Sequence, residues 1–109
     1  MPTPRIVTVG PMITTNVYTN VGAIMYKPYV EEFCLEVKNA GAHSMDYQVM
    51  GSVDNVNFIH VLKEGTLNVG EFALYRDNFY IAAVKVQARS TVADQSTTAV
   101  ATYSGLAEI

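Results

Sequence analysis

The sequence predicts an all-β fold, a two-sheet antiparallel sandwich of jelly-roll or immunoglobulin-like type. Three observations predict it. Apolar and polar residues alternate with period two along most of the chain, turn-forming residues recur about every ten positions, and no stretch carries a helical stripe. The 109 residues leave room for one domain, and half of them are hydrophobic, which suffices for a core without disulfides or metal.

At the start, Pro2, Pro4 and Pro11 cannot donate ladder hydrogen bonds, so this region suits an extended arm or an edge strand. We assign residues 1–12 as an N-terminal arm and residues 13–109 as the sandwich. Ile13 to Val21 alternates and is rich in Thr and Val, as strands are. Residues 22–30 carry no clear pattern. Phe33, Leu35 and Val37 then point one way, and Glu32, Cys34, Glu36 and Lys38 the other. Asn39 to Ser44 reads as a turn, because Asn and Gly tolerate the backbone angles that turns demand.

Tyr47, Val49 and Gly51 continue one face of the next strand, and Asp54 to Asn57 is a second tight connection. Phe58 to Leu62 follows as a strand, with a turn at Glu64-Gly65 and a break at Gly70. Phe72 and Leu74 alternate with Ala73 and Tyr75 until Asp77-Asn78. Ala82, Val84, Val86 and Ala88 form an inward row against Lys85, Gln87 and Arg89. A loop over Ala93 to Ser96 leads to a last strand near Thr97 to Ser104.

Two segments are apolar on both faces: Phe58 to Leu62, and Phe79 to Val84. An antiparallel strand with one wet face alternates instead. Either these strands lie beneath a loop or the arm, or they form an exposed apolar patch that packs against another chain. The charged fraction of 16%, below the usual value of about a quarter, points to covered surface. The candidate partner-binding residues are Pro4, Arg5, Ile6 and Val7 in the N-terminal segment, with Ile59, Val61, Phe79 and Ile81.

No pattern of reactive residues points to an enzyme. His43 falls in a turn and His60 inside a strand, without the companions of a zinc site, and His60 reads as a core or interface residue. Cys34 is alone, so no intrachain disulfide forms, and nothing near it in sequence activates a thiol. Glu31 and Glu32, as strand neighbours, point to opposite faces and make no catalytic dyad. Asp54 to Asn57 spaces oxygen-bearing side chains as calcium loops do, but lacks the glycine and distal glutamate, so a turn is the better reading. We expect no metal and no cofactor.

The net charge is −3 and the seven basic residues are scattered. Nucleic-acid binding needs a concentrated basic footprint, so no nucleic acid is expected. No apolar run is long enough for a membrane helix, so no membrane is expected either. The opening MPTPRIVTVG has no basic start followed by an apolar run, so no secretory signal is expected and the product is made in a cytoplasm.

Val37 to Phe58 reads VKNAGAHSMDYQVMGSVDNVNF. It resembles a pattern of small phage virion proteins and related sandwich domains. The matching positions are Asn39, Gly41, Tyr47, Val49, Gly51, Ser52, Asp54 and Phe58, the last being Phe where the pattern has Trp. They cover about a fifth of the chain and describe a hairpin closed by Asx-type turns. The resemblance implies a capsid decoration or cement protein: a homo-oligomer on the virion surface, made in the host cytoplasm and bound to the major capsid protein. A carbohydrate-binding or adhesin module on the same scaffold is the competing class, with Tyr18, Tyr26, Tyr29, Tyr75 and Tyr80 as candidate sugar contacts. A head–tail or tail component is a third.

Overall fold

The alternation along the chain folds into two packed sheets. A computed structural model describes residues 3–22, 25–26, 30–54, 56–76 and 83–107, with side chains described for residues 6, 8–22, 34–54, 56–76 and 83–103. Its strands are β1 (Thr3–Ile13), β2 (Thr19–Asn20), β3 (Met25–Tyr26), β4 (Val30–Asn39), β5 (Met45–Ser52), β6 (His60–Leu67), β7 (Phe72–Arg76), β8 (Ala83–Ser90) and β9 (Thr98–Ala107). One sheet has the order β1-β9-β4-β7 and the other β2-β8-β5-β6, with β3 also pairing β8. All pairs are antiparallel. This interleaved order is that of the jelly roll, one of the two sandwich types expected.

The core forms where the inward rows meet. Leu35 and Val37, Tyr75, and Ala99, Ala101 and Tyr103 come from the first sheet. Met45, Tyr47 and Val49, Leu67, and Val84, Val86 and Ala88 come from the second. Leu35 sits directly between Tyr103 and Tyr75 across its two neighbouring strands. Large side chains stand beside small ones: Tyr47 pairs with Ala88 on one side and Gly65 on the other. That is how rings reach native packing density.

Gly65 also corrects a sequence reading. No turn occurs at Glu64-Gly65, because β6 runs straight through it. A Cβ at position 65 would come within 3.2 Å of the Tyr47 ring, so any larger residue there crowds that ring. The chain turns at Asn68–Gly70 instead, where the Glu71 N–H donates back to the Asn68 carbonyl.

The N-terminal segment expected to be an arm is an edge strand, the other form its prolines allow. β1 pairs with β9 from Thr3↔Ala107 to Ile13↔Thr98, with a bulge between Val9 and Met12. Pro4 and Pro11 are tolerated because β1 has a neighbour on one side only. The strand expected over Ile13 to Val21 is present only at its ends. β1 ends at Ile13, and residues 14–18 cross to the other sheet before Thr19–Asn20. Strand propensity is overridden there by buried hydrogen bonds that pull Thr14 inward.

Those bonds centre on Asn39, fully buried at the end of β4. Its Nδ2 donates to the carbonyls of His43 (2.7 Å) and Leu67 (3.0 Å). Its Oδ1 accepts from the Gly41 N–H (3.1 Å) and the Thr97 hydroxyl (2.7 Å). The Thr97 N–H donates to Thr14 Oγ1 (2.9 Å), which also bonds the Ser90 hydroxyl (2.9 Å). The Asn39 side chain thus ties the β4–β5 and β8–β9 connections to the end of β6, and Thr97 extends the network to Thr14 after β1. Gly41 permits this, because a Cβ there would overlap Thr97 Oγ1 and the Thr98 nitrogen.

At the centre of the molecule burial pushes the Tyr103 hydroxyl up to about 12, against the opposing pull of a backbone hydrogen bond at Val86. A phenol whose folded value lies above its unfolded value of about 10 stabilises the fold fully below that pH. The contribution is lost as pH rises through the folded value. We expect tyrosinate absorbance to show a late step between about pH 10 and 12 that coincides with loss of the β circular dichroism signal. Complete tyrosine ionisation with the fold intact would contradict it.

Candidate functional site

The two sheets present unlike faces to the outside. On the β2-β8-β5-β6 sheet the outward residues satisfy one another. Asp46 accepts from Arg89 Nε (3.0 Å), Thr66 Oγ1 (2.8 Å) and Thr91 Oγ1 (3.0 Å). Partial burial works against its charge, but these three donors prevail and hold Asp46 below the ordinary carboxylate value. Gln48 bonds Glu64, Gln87 bonds Asn20, and Arg89 lies over the Tyr18 ring at 4.5 Å. Such a face is content in water.

The β1-β9-β4-β7 face differs. Its outward rows, read from the strand register, are Ile6 with Cys34 and Arg76, Thr8–Thr102–Glu36–Leu74, and Val100–Lys38–Phe72. Ile6, Leu74 and Phe72 are more than half exposed. A depression of about 250 Å³ opens among Ile6, Cys34, Glu36, Leu74 and Thr102. Among the described residues neither Glu36 nor Lys38 has an ion-pair partner.

A third surface lies on the β5–β6 connection. Val53, Val56, Ile59 and Val61 are exposed at 67%, 76%, 72% and 48%. The connection is nonetheless held in shape. Asp54 Oδ1 accepts from the N–H groups of Val56 (2.9 Å) and Asn57 (2.8 Å) and from the Ser52 hydroxyl (2.8 Å). These donors keep the Asp54 carboxyl well below the usual range. The acidic residue there is fastening a turn.

Of the candidate partner-binding residues, the structure brings Ile59 and Val61 together on this connection and the strand after it, and places Ile6 on the outer face of the other sheet. Both segments flagged as doubly apolar were open to two readings. In Phe58 to Leu62, Ile59 and Val61 are exposed while Leu62 packs against the core. Pro4, Arg5 and Val7 lie within β1, but their side chains lie outside the described residues, as do Phe79 and Ile81 entirely. His60, expected to be packed, is exposed at the first position of β6. His43 is exposed and Cys34 half-buried.

Among the described residues no group of three His, Cys, Asp or Glu side chains could hold a metal ion, and no helix is long and apolar enough to cross a membrane. Of the tyrosines weighed as sugar contacts, Tyr75 is buried in β7 and Tyr18, in the connection before β2, packs on Arg89 of β8. The side chains of Tyr26, Tyr29 and Tyr80 lie outside the described residues. Sequence reasoning missed the Glu36/Lys38 rows and the Asp46 network. Its signal was the outward half of each alternating strand, which was read for polarity and not for partners.

The class of molecule defined is a jelly-roll domain with one self-satisfied face and exposed apolar side chains elsewhere. No protein-family model matches the sequence, and neither does any curated protein. Solved structures do share the fold. A protein from the disulfide-linked pili of Bacillus endospore appendages matches at TM-score 0.59 and 9% identity, over 99% of this chain and 92% of that one. The SPBc2 prophage-derived protein YomS matches at TM-score 0.56 and 14% identity, over 96% of each chain. Murine APRIL matches at TM-score 0.58 and 11% identity, over 95% of this chain and all of that one. At such identities the likeness is one of architecture.

Proposed function

We propose that this chain is a structural, non-enzymatic subunit of a phage particle, seated on the capsid surface as a decoration or cement protein and bound to the major capsid protein. The observation that carries this reading is the β5–β6 connection. Three exposed apolar side chains, Val53, Val56 and Ile59, sit on a loop whose turn is already fixed by Asp54, and Val61 follows them on β6, so docking costs little further ordering entropy. Exposed apolar patches on an otherwise well-satisfied domain mark protein contacts. The jelly roll is an architecture that viral capsid domains use, and the likeness to a prophage-derived protein over nearly the whole chain agrees with it.

The experiment mixes purified protein with undecorated heads and measures co-sedimentation at low and high salt. Deleting residues 1–10 is not a usable variant, because it removes most of β1. Val56→Asp with Ile59→Ser changes only exposed side chains. Wild type should bind equally at both salt concentrations, since an apolar contact carries no strong ionic component. The double variant should bind at least about tenfold more weakly. Equal binding by both proteins, no binding by either, or capture by glycans in place of heads would overturn the reading.

A further inference from the structure

We propose that the outer face of the β1-β9-β4-β7 sheet receives a second copy of this chain, across a two-fold axis that runs perpendicular to the strands between Glu36 and Lys38. This goes beyond the capsid reading, and it uses a different surface from the β5–β6 connection.

The argument begins with the register. Glu36 lies between Thr102 and Leu74, and two residues on, Lys38 lies between Val100 and Phe72. Residues two apart on a strand share a face. The two rows therefore match position for position: one carries an acid and the other a base, each with a large apolar side chain on β7 and a small or branched one on β9. A two-fold axis between the rows exchanges them. Glu36 of one copy then faces Lys38 of the other, Leu74 faces Phe72, and Thr102 faces Val100, each contact made twice. This is the self-complementarity that an isologous interface requires.

Three observations separate this face from ordinary wet surface. Glu36 and Lys38 have no ion-pair partner among the described residues. On the opposite sheet, by contrast, Asp46 is bound to Arg89 and two threonines. Leu74 and Phe72 are 53% and 58% exposed beside those unpaired charges. A second copy supplies a counter-charge to each ion and an apolar neighbour to each ring or branched chain. The footprint spans two central rows of a four-stranded sheet, which is small for a permanent dimer, so the contact is a weak, concentration-dependent one.

Sedimentation equilibrium of the purified full chain, without any particle, tests it. Wild type should show a monomer–dimer equilibrium at high protein concentration. Glu36→Lys makes both rows basic and Lys38→Glu makes both acidic, so each variant alone should dimerise at least about tenfold more weakly, since like charges then meet twice. An equimolar mixture of the two variants should regain the wild-type affinity, as should the double exchange Glu36→Lys with Lys38→Glu. Phe72→Ser, at an exposed position, should also weaken association. Circular dichroism checks that each variant is folded. The proposal is overturned if wild type remains a monomer, if the single variants associate as well as wild type, or if the mixture stays monomeric. Failure here leaves head binding through Val56 and Ile59 untouched, so the two readings are distinguished.

Discussion

Replacing Asn39 by alanine should destabilise the fold by about 3 kcal/mol, enough to lower the melting temperature by roughly 10–20 °C. The size follows from what the side chain holds. Two carbonyls, one backbone N–H and one hydroxyl lose their partner together, at a site with no exposed surface. A buried group left without a partner costs more than the hydrogen bond contributed, and the groups here belong to one network. Asn39→Asp tests the geometry further. It keeps an acceptor for Gly41 and Thr97 but turns a carboxylate oxygen toward the carbonyls of His43 and Leu67, so it should be no better than alanine near neutral pH. Thermal unfolding followed by circular dichroism reads both. A change within about 0.5 kcal/mol, typical of surface substitutions, would show that Asn39 is not the hub described.

Leu35→Ala should cost about 3 kcal/mol, within the range for burying a cavity in a close-packed core. Leu35 is wholly buried and flanked on its own sheet by Tyr103 and Tyr75. Aromatic rings held by strand backbones collapse poorly into a void, so the cavity persists and its full cost is felt. Leu35→Met keeps most of the volume and should cost less than about 1.5 kcal/mol. Chemical denaturation with unchanged slope and a shifted midpoint would report the difference as stability. Equal midpoints for alanine and methionine would contradict this account of the core.

Much of the architecture was legible because strands advertise their inner face. Leu35 with Val37, and Tyr47 with Val49, read as residues sharing one face, and Val84, Val86 and Ala88 as an inward row, and each of them is buried. The Asn39 and Asp54 turns were legible for a related reason, since both side chains bond backbone groups two or three residues on. What escaped was whatever depended on contacts distant in sequence. Gly65 reads as a turn until the Tyr47 ring is laid across it. The prolines of β1 permit arm or edge strand equally, and only pairing with β9 decides. Asn39 shows its turn in sequence but not its bond to Leu67, which lies 28 residues away. The candidate surfaces were half-legible. Ile59 and Val61 stood out as apolar excess, whereas Glu36 and Lys38 look like ordinary polar alternation until the neighbouring strands are aligned.

β6 and β7 are the last strands of their respective sheets and come together on one side of the sandwich. There the Lys63 ammonium, from β6, donates to the Leu74 carbonyl of β7 at 2.7 Å. The acceptor it takes up lies on a strand that would otherwise offer unpaired backbone to any passing chain, and a lysine on a strand border is a recurrent guard against such templating. Lys63 therefore bears on solubility more than on the stability of the single molecule. It occupies one backbone acceptor on a border along which another chain could otherwise pair.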